Sequence, residues 1–134
     1  MTENAAVLFA NEAFYQAFGD GDFDAMEAVW ASETAIVCIH PGWEALTDRA
    51  RIMESWRMIL GSDDTPAVAC REPRATIHGE VALVVCYEAL GQNVLVATNG
   101  FVCETGVWKM VHHQAGPTNY RPAPVDETQT GRIH

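Results

Sequence analysis

The sequence predicts an α+β domain in which three N-terminal helices pack on one face of a curved, mostly antiparallel sheet. Three observations carry that expectation. Helix-period apolar patterns fill the first half of the chain, broken by one short strand. From Ala67 to Ala115 the chain reads as strand, with breaks of hairpin length. The 134 residues are 49% hydrophobic and 19% charged, the balance of a globular domain large enough to bury its own core.

In the first helix, over residues 4–18, Val7, Asn11, Phe14 and Phe18 follow helical spacing, and Leu8 and Tyr15 widen the same face. Gly19-Asp20-Gly21-Asp22 ends that helix with glycine and caps the next with Asp22. The second helix, Phe23 to Ala31, aligns Phe23, Met26 and Trp30. A strand from Ile36 to His40 must stop at Pro41-Gly42. Thr47 or Asp48 caps a third helix, where Ile52, Trp56 and Ile59 share a face and Gly61 closes it. Four strands follow: Ala67 to His78, Val81 to Leu90, Val94 to Glu104 and Val107 to Ala115. Pro73 marks the first of these as an edge strand or a bulge. A single domain over residues 1–117 is expected, with 118–134 as a loosely ordered extension.

Eight basic residues against 18 acidic ones give a formal charge of -10, a field that disfavours nucleic acid and anionic membrane surfaces as partners. No apolar run approaches the ~18 residues that span a bilayer, and the N-terminal stretch lacks the basic segment of a secretory signal. Cys38, Cys70, Cys86 and Cys103 form no paired motif and sit in apolar or alternating runs, as packing thiols of a cytoplasmic protein do.

Strand alternation places Val107, Lys109, Val111, His113 and Ala115 on one face of the last strand, with Trp108, Met110, His112 and Gln114 on the other. Both faces carry apolar residues, as do both faces of Val81 to Leu90. A sheet with helices on one side only should show a polar second face. The expectation is therefore a homodimer through the sheet face that carries Trp108, Met110 and His112.

The residues G-D-F-D before the second helix, the strand ending in His-Pro, and the last strand W-K-M-V-H-H-Q-A-G resemble the nuclear transport factor 2-like superfamily, in its SnoaL-like branch, over about residues 5–117. The resemblance implies a cystatin-like cone: a bent sheet wrapped around helices and open at one end into a pocket. It covers many functions, from isomerases and dehydratases to association domains. Against ketosteroid isomerase, His40-Pro41 stands where the general base Asp-Pro stands. Phe14 falls at the Tyr of the oxyanion hole and Asn99 at its Asp. Trp56, Val111, His113 and Ala115 match pocket-facing positions.

His40 is the expected general base, since an imidazole titrates near ~6.5; the competing role is a turn histidine that shapes the His-Pro-Gly-Trp loop. Asn99, on the face of Leu95, Ala97 and Phe101, is the expected polarising amide, unless backbone or His40 satisfies it. His113 is a pocket group or a satisfied core histidine. Phe14, Trp30, Trp43, Trp56, Phe101 and Val111 are expected as walls, with Trp43 capping the mouth. Glu72, Glu88 and Glu104 read as exposed edge or rim charges. A His40–His113 metal pair has no third ligand at a recognisable spacing, so no metal and no cofactor is expected. The functional expectation is a pocket for a small apolar or aromatic molecule, with proton-transfer chemistry such as isomerisation, cyclisation, dehydration or hydrolysis. The alternative is a non-catalytic binding or association module.

Overall fold

The computed structural model describes residues 1–64 and 67–124. Its elements run α1 (Glu3–Asp20), α2 (Phe23–Val29), β1 (Val37–Ile39), α3 (Arg49–Leu60), β2 (Ala69–His78), β3 (Val81–Leu90), β4 (Asn93–Glu104) and β5 (Val107–Pro117). This is the expected order. Each helix begins at a side-chain cap: Thr2 accepts from Ala5 N, Asp22 from Ala25 N and Asp48 from Ala50 N. Such caps stabilise a helix by about 1 kcal/mol each. Gly21, at φ 64°, closes α1 in the left-handed conformation that glycine adopts without strain.

The sheet has five strands in the order β1-β5-β4-β3-β2, all neighbours antiparallel except β1 with β5. It is curved and does not close. The parallel pairing sets Cys38 opposite His113, so the end of β1 brings His40 beside the middle of β5. Phe14 of α1 is the centre of the core: its ring meets Tyr15, Phe18, Trp56 and His113 at centroid distances of 4.8, 6.2, 5.5 and 4.9 Å.

Two bulges shape the sheet. In edge strand β2 the register shifts between Arg71 and Arg74, with Glu72 at φ 52°, where Pro73 had pointed to an irregularity. In β5, Gly100 pairs with His112 but Phe101 pairs with Met110, leaving Val111 as the extra residue. One extra residue reverses every side chain beyond it. Met110 is therefore fully buried beside Phe101, and Trp108 turns to pack against the core. A Cβ at Gly100 would lie 3.2 Å from His112 Cβ, 3.6 Å from Leu83 Cδ2 and 3.8 Å from Val111 Cγ2, so half-buried Val111 reaches the outer face beside His112 while still touching the core. The expected dimer face of Trp108, Met110 and His112 is thus corrected: only His112 lies on the outer face. Val111 likewise leaves the expected pocket wall.

Of the extension expected after Pro117, residues 118–124 lie along β2. Tyr120 Oη donates to Glu72 Oε1 at 3.0 Å, its ring meets Tyr87 at 4.6 Å, and Ala123 N donates to Glu72 Oε2 at 3.1 Å. The remainder of that expected segment, 125–134, lies outside the described residues.

Candidate functional site

A cavity of about 400 Å³ opens between α3, the turn after β1, the adjoining ends of β3 and β4, and the middle of β5. Its walls are apolar, from Phe18, Pro41, Trp43, Ile59, Leu90 and Leu95. Three polar side chains line it at depth: His40, Glu88 and His113, at 4%, 3% and 2% exposure. A larger groove of about 560 Å³ lies between α1 and β2, rimmed by Glu12, Gln16 and Asp20. The smaller cavity is the candidate site, because apolar walls around a few buried titratable groups are the usual make-up of a small-molecule pocket.

Glu88 belongs to the face of Ala82, Val84 and Cys86, all buried, and is itself buried rather than on the rim. Tyr15 Oη, brought by α1, donates to Glu88 Oε2 at 2.7 Å. Burial drives the Glu88 carboxyl upward, and the Tyr15 hydrogen bond opposes this in part. Tyr15 is raised well above its ordinary value by burial and then by the Glu88 charge, so it remains a donor.

Asn99 joins the network from β4. Its amide Nδ2 donates to Asn11 Oδ1 at 2.8 Å and to Tyr15 Oη at 3.2 Å, and its Oδ1 meets His113 Nδ1 at 2.6 Å. This pattern assigns the proton to His113 Nδ1 and leaves a lone pair on Nε2. Both ends of the Asn99 amide are spent on protein, so it acts on the cavity only through His113. His113 Nε2 stands 3.8 Å from Glu88 Oε2, too long for a hydrogen bond. Burial, together with His40 and His112, pushes His113 down to about 3. At neutral pH the pair is a neutral imidazole beside a carboxyl group rather than a salt bridge.

His40 is held between two indoles, Trp43 and Trp56, each at 4.8 Å. Its Nε2 lies 2.9 Å from Ser55 Oγ, whose only proton is donated to Ile52 O at 2.6 Å. The serine must therefore accept, so His40 Nε2 carries the proton and Nδ1 keeps its lone pair. Burial lowers His40 to about 4. Among the described residues, the only buried polar side-chain atoms sealed without a partner are the indole nitrogens of Trp30 and Trp56. The unpaired Glu88 Oε1, His40 Nδ1 and His113 Nε2 therefore open onto the cavity they line.

Of the residues expected at the site, His40, Trp43 and His113 line the cavity, with Trp43 at the mouth, 40% exposed. Phe14 and Trp56 form the layer behind the two imidazoles. Trp30 and Phe101 are core residues near Met110. Sequence reasoning missed Glu88 at the site, Asn11 as the partner of Asn99, and Ser55 as the partner of His40. For Glu88 a signal existed, since its strand parity matches Ala82, Val84 and Cys86. Of the other two carboxylates expected at an exposed edge or rim, Glu72 is exposed and Glu104 is half-buried. Both bind backbone: Glu72 accepts from Ala123 N, and Glu104 accepts from Ser32 N at 3.0 Å and Glu33 N at 3.1 Å.

This geometry coincides with a match between residues 7–119 and the model of the SnoaL-like domain. The chain belongs to the SnoaL-like family. No curated protein matches this SnoaL-like chain. Among solved structures it is similar to a provisionally assigned dehydratase of the NTF2-like family from Streptomyces avermitilis, at 28% identity and TM-score 0.80, covering 88% of this chain and 97% of that one. It is also similar to a provisionally assigned calcium/calmodulin-dependent protein kinase type II association domain from Thiobacillus denitrificans, at 29% identity and TM-score 0.70, covering 82% and 93%. An NTF2-like protein of unknown function from Pseudomonas putida shares the fold at 21% identity and TM-score 0.73, covering 94% and 90%. No helix among the described residues is long and apolar enough to cross a membrane.

Proposed function

We propose that this SnoaL-like protein binds a small, largely apolar molecule in the 400 Å³ cavity and moves a proton on it, in an elimination of the dehydratase type. One observation carries the reading: a buried carboxylate, fixed by Tyr15, lines an apolar cavity together with two neutral imidazoles. Burial inverts the usual order of basicity there, raising Glu88 while lowering His40 and His113. Glu88 Oε1 is the proton acceptor, and the imidazoles hold and orient the substrate. Glu88 takes a proton from a carbon beside the hydroxyl-bearing carbon. The electron pair of that C–H bond becomes the C=C bond as the C–O bond breaks. The protonated Glu88 then returns its proton to the departing hydroxyl, which leaves as water. The similarity to the Streptomyces avermitilis protein supports this choice among proton-transfer reactions.

The test is deuterium incorporation from D₂O, and water loss, across a panel of small hydroxylated apolar compounds. Glu88→Gln keeps the shape and removes the base, and a general base contributes about 10²–10⁴-fold. A loss of that size is expected, with circular dichroism unchanged. Full activity in Glu88→Gln, with loss on His40→Ala, would overturn the assignment and move the base to His40.

A second reading, a homodimeric association module, draws on the outer sheet face. Val81 and Val85 are 40% and 41% exposed there, and Leu83 and Val111 flank Gly100 on the same side. The likeness to the association domain from Thiobacillus denitrificans supports self-association, and the exposed apolar side chains are what assign it to this face. Ligand binding with no turnover on the panel would favour this reading.

A further inference from the structure

The polar groups at the floor of the cavity are not a mixed set. Each tautomer is fixed by a hydrogen bond on the side away from the cavity. Ser55 Oγ takes the His40 Nε2 proton, and Asn99 Oδ1 takes the His113 Nδ1 proton. What remains facing the cavity is a lone pair on His40 Nδ1, a lone pair on His113 Nε2, and Glu88 Oε1. All three are acceptors. The lining side chains able to donate among the described residues, Trp43 and Ser62, stand toward the mouth, and no lysine or arginine lines the cavity. The chain's charge of -10 and the carboxylates of Glu88 and Asp64 at the cavity add a field that opposes anions.

We propose that the cavity selects an uncharged molecule with an apolar body and at least two hydroxyl donors at its buried end, one for His40 Nδ1 and one for His113 Nε2 or the neighbouring Glu88 carboxylate, and that it rejects carboxylates and phosphates. The inference rests on the cavity being the ligand site, but it does not need turnover. A donor-free ligand of the same shape would leave three buried acceptors unpaired, and an anion would set lone pair against lone pair. The depressed histidine pKa values support the neutral state of both imidazoles.

The test uses three probes of similar size, 1,2-dihydroxybenzene, its dimethyl ether and benzoate, titrated at pH 7.5 while the fluorescence of Trp43 and Trp56 is followed. The diol is expected to bind at least tenfold more tightly than either other probe. Glu88→Gln turns one acceptor into an acceptor-donor pair and should narrow the gap between diol and benzoate at least tenfold. Equal binding of the ether, tighter binding of benzoate, or no binding of any probe at millimolar concentration overturns the proposal. Diol selectivity without deuterium exchange would leave this inference standing and remove the catalytic reading. Exchange on a panel compound, with ether or benzoate preferred, would do the reverse.

Discussion

At the residue scale, the site depends on three titratable groups whose pKa values burial has moved in opposite senses. His40 and His113 fall to about 4 and about 3 in the folded protein, while an unfolded histidine titrates near ~6.5. Below about pH 6.5 the unfolded chain takes up protons that the folded chain refuses, so stability falls as pH drops toward 4 and then 3. Glu88, raised by burial, acts in the other direction: it binds its proton in the folded state first and offsets part of the loss as pH passes through its raised value. The other groups near the imidazoles are Tyr15, which stays protonated throughout, Cys38, whose Sγ lies 3.6 Å from His40 Nε2 and whose thiol burial pushes up to about 12, and His112, itself lowered by burial. Urea denaturation at pH 7 and pH 5 should show a loss on the order of 2–3 kcal/mol at the lower pH. Unchanged stability, with imidazole NMR signals titrating near 6.5, would contradict the burial argument. The histidines were legible in the sequence, His40 because it ends an apolar strand before Pro41. Glu88 was half legible, since strand parity sets it inward with Cys86. The charge argued for the rim, and nothing in the sequence announced that Tyr15, 73 positions away, would come to meet it.

At the element scale, the bulge at Val111 decides what β5 presents. The bulge in β2 was readable because Pro73 cannot continue a ladder. The one in β5 was not, because Lys109-Met110-Val111-His112 reads as an unbroken strand with neither glycine nor proline. Its cause is tertiary. His113 is fixed by Asn99 and by the parallel pairing with β1, while Met110 is fixed from the other end by Trp30 and by Ala31 N, which donates to Met110 O at 2.9 Å. Satisfying both requires one residue more than the β4 register provides. Deleting Val111 should keep His113 in place and turn Met110 and Trp108 outward. The expected cost is about 2–4 kcal/mol in urea denaturation, from the exposure of two large apolar side chains. Val111→Ala, which keeps the bulge, should lose far less. A deletion variant as stable as the parent would mean that the bulge is not what buries Met110.

At the scale of the whole molecule, the order of helices and strands and the two-faced character of the sheet followed from apolar period alone. The two faces have distinct tasks. The inner face of the sheet carries the core and the buried network, and the outer face, with Val81, Leu83, Val85, Val111 and His112, remains partly apolar. Tyr120 covers Tyr87 near one edge, so an associating copy would take the middle of the sheet. Val85→Arg introduces a charge there without touching the cavity. Sedimentation of the parent chain should give a dimer and Val85→Arg a monomer with unchanged diol binding. A monomeric parent chain would remove the association reading.

The network of Asn11, Tyr15, Glu88, Asn99 and His113 has one more consequence, for the order in which the chain acquires structure. Its hydrogen bonds join residues 73, 84 and 88 positions apart, reaching from α1 to β3 and β4. Contacts of such separation close late, because the entropy of a long loop must be spent before they return anything. A chain whose helices and hairpins have formed but whose α1 has not docked has no fixed tautomer at His113 and no oriented Glu88. Binding competence should therefore appear in refolding only with the slowest phase, after helical circular dichroism has recovered.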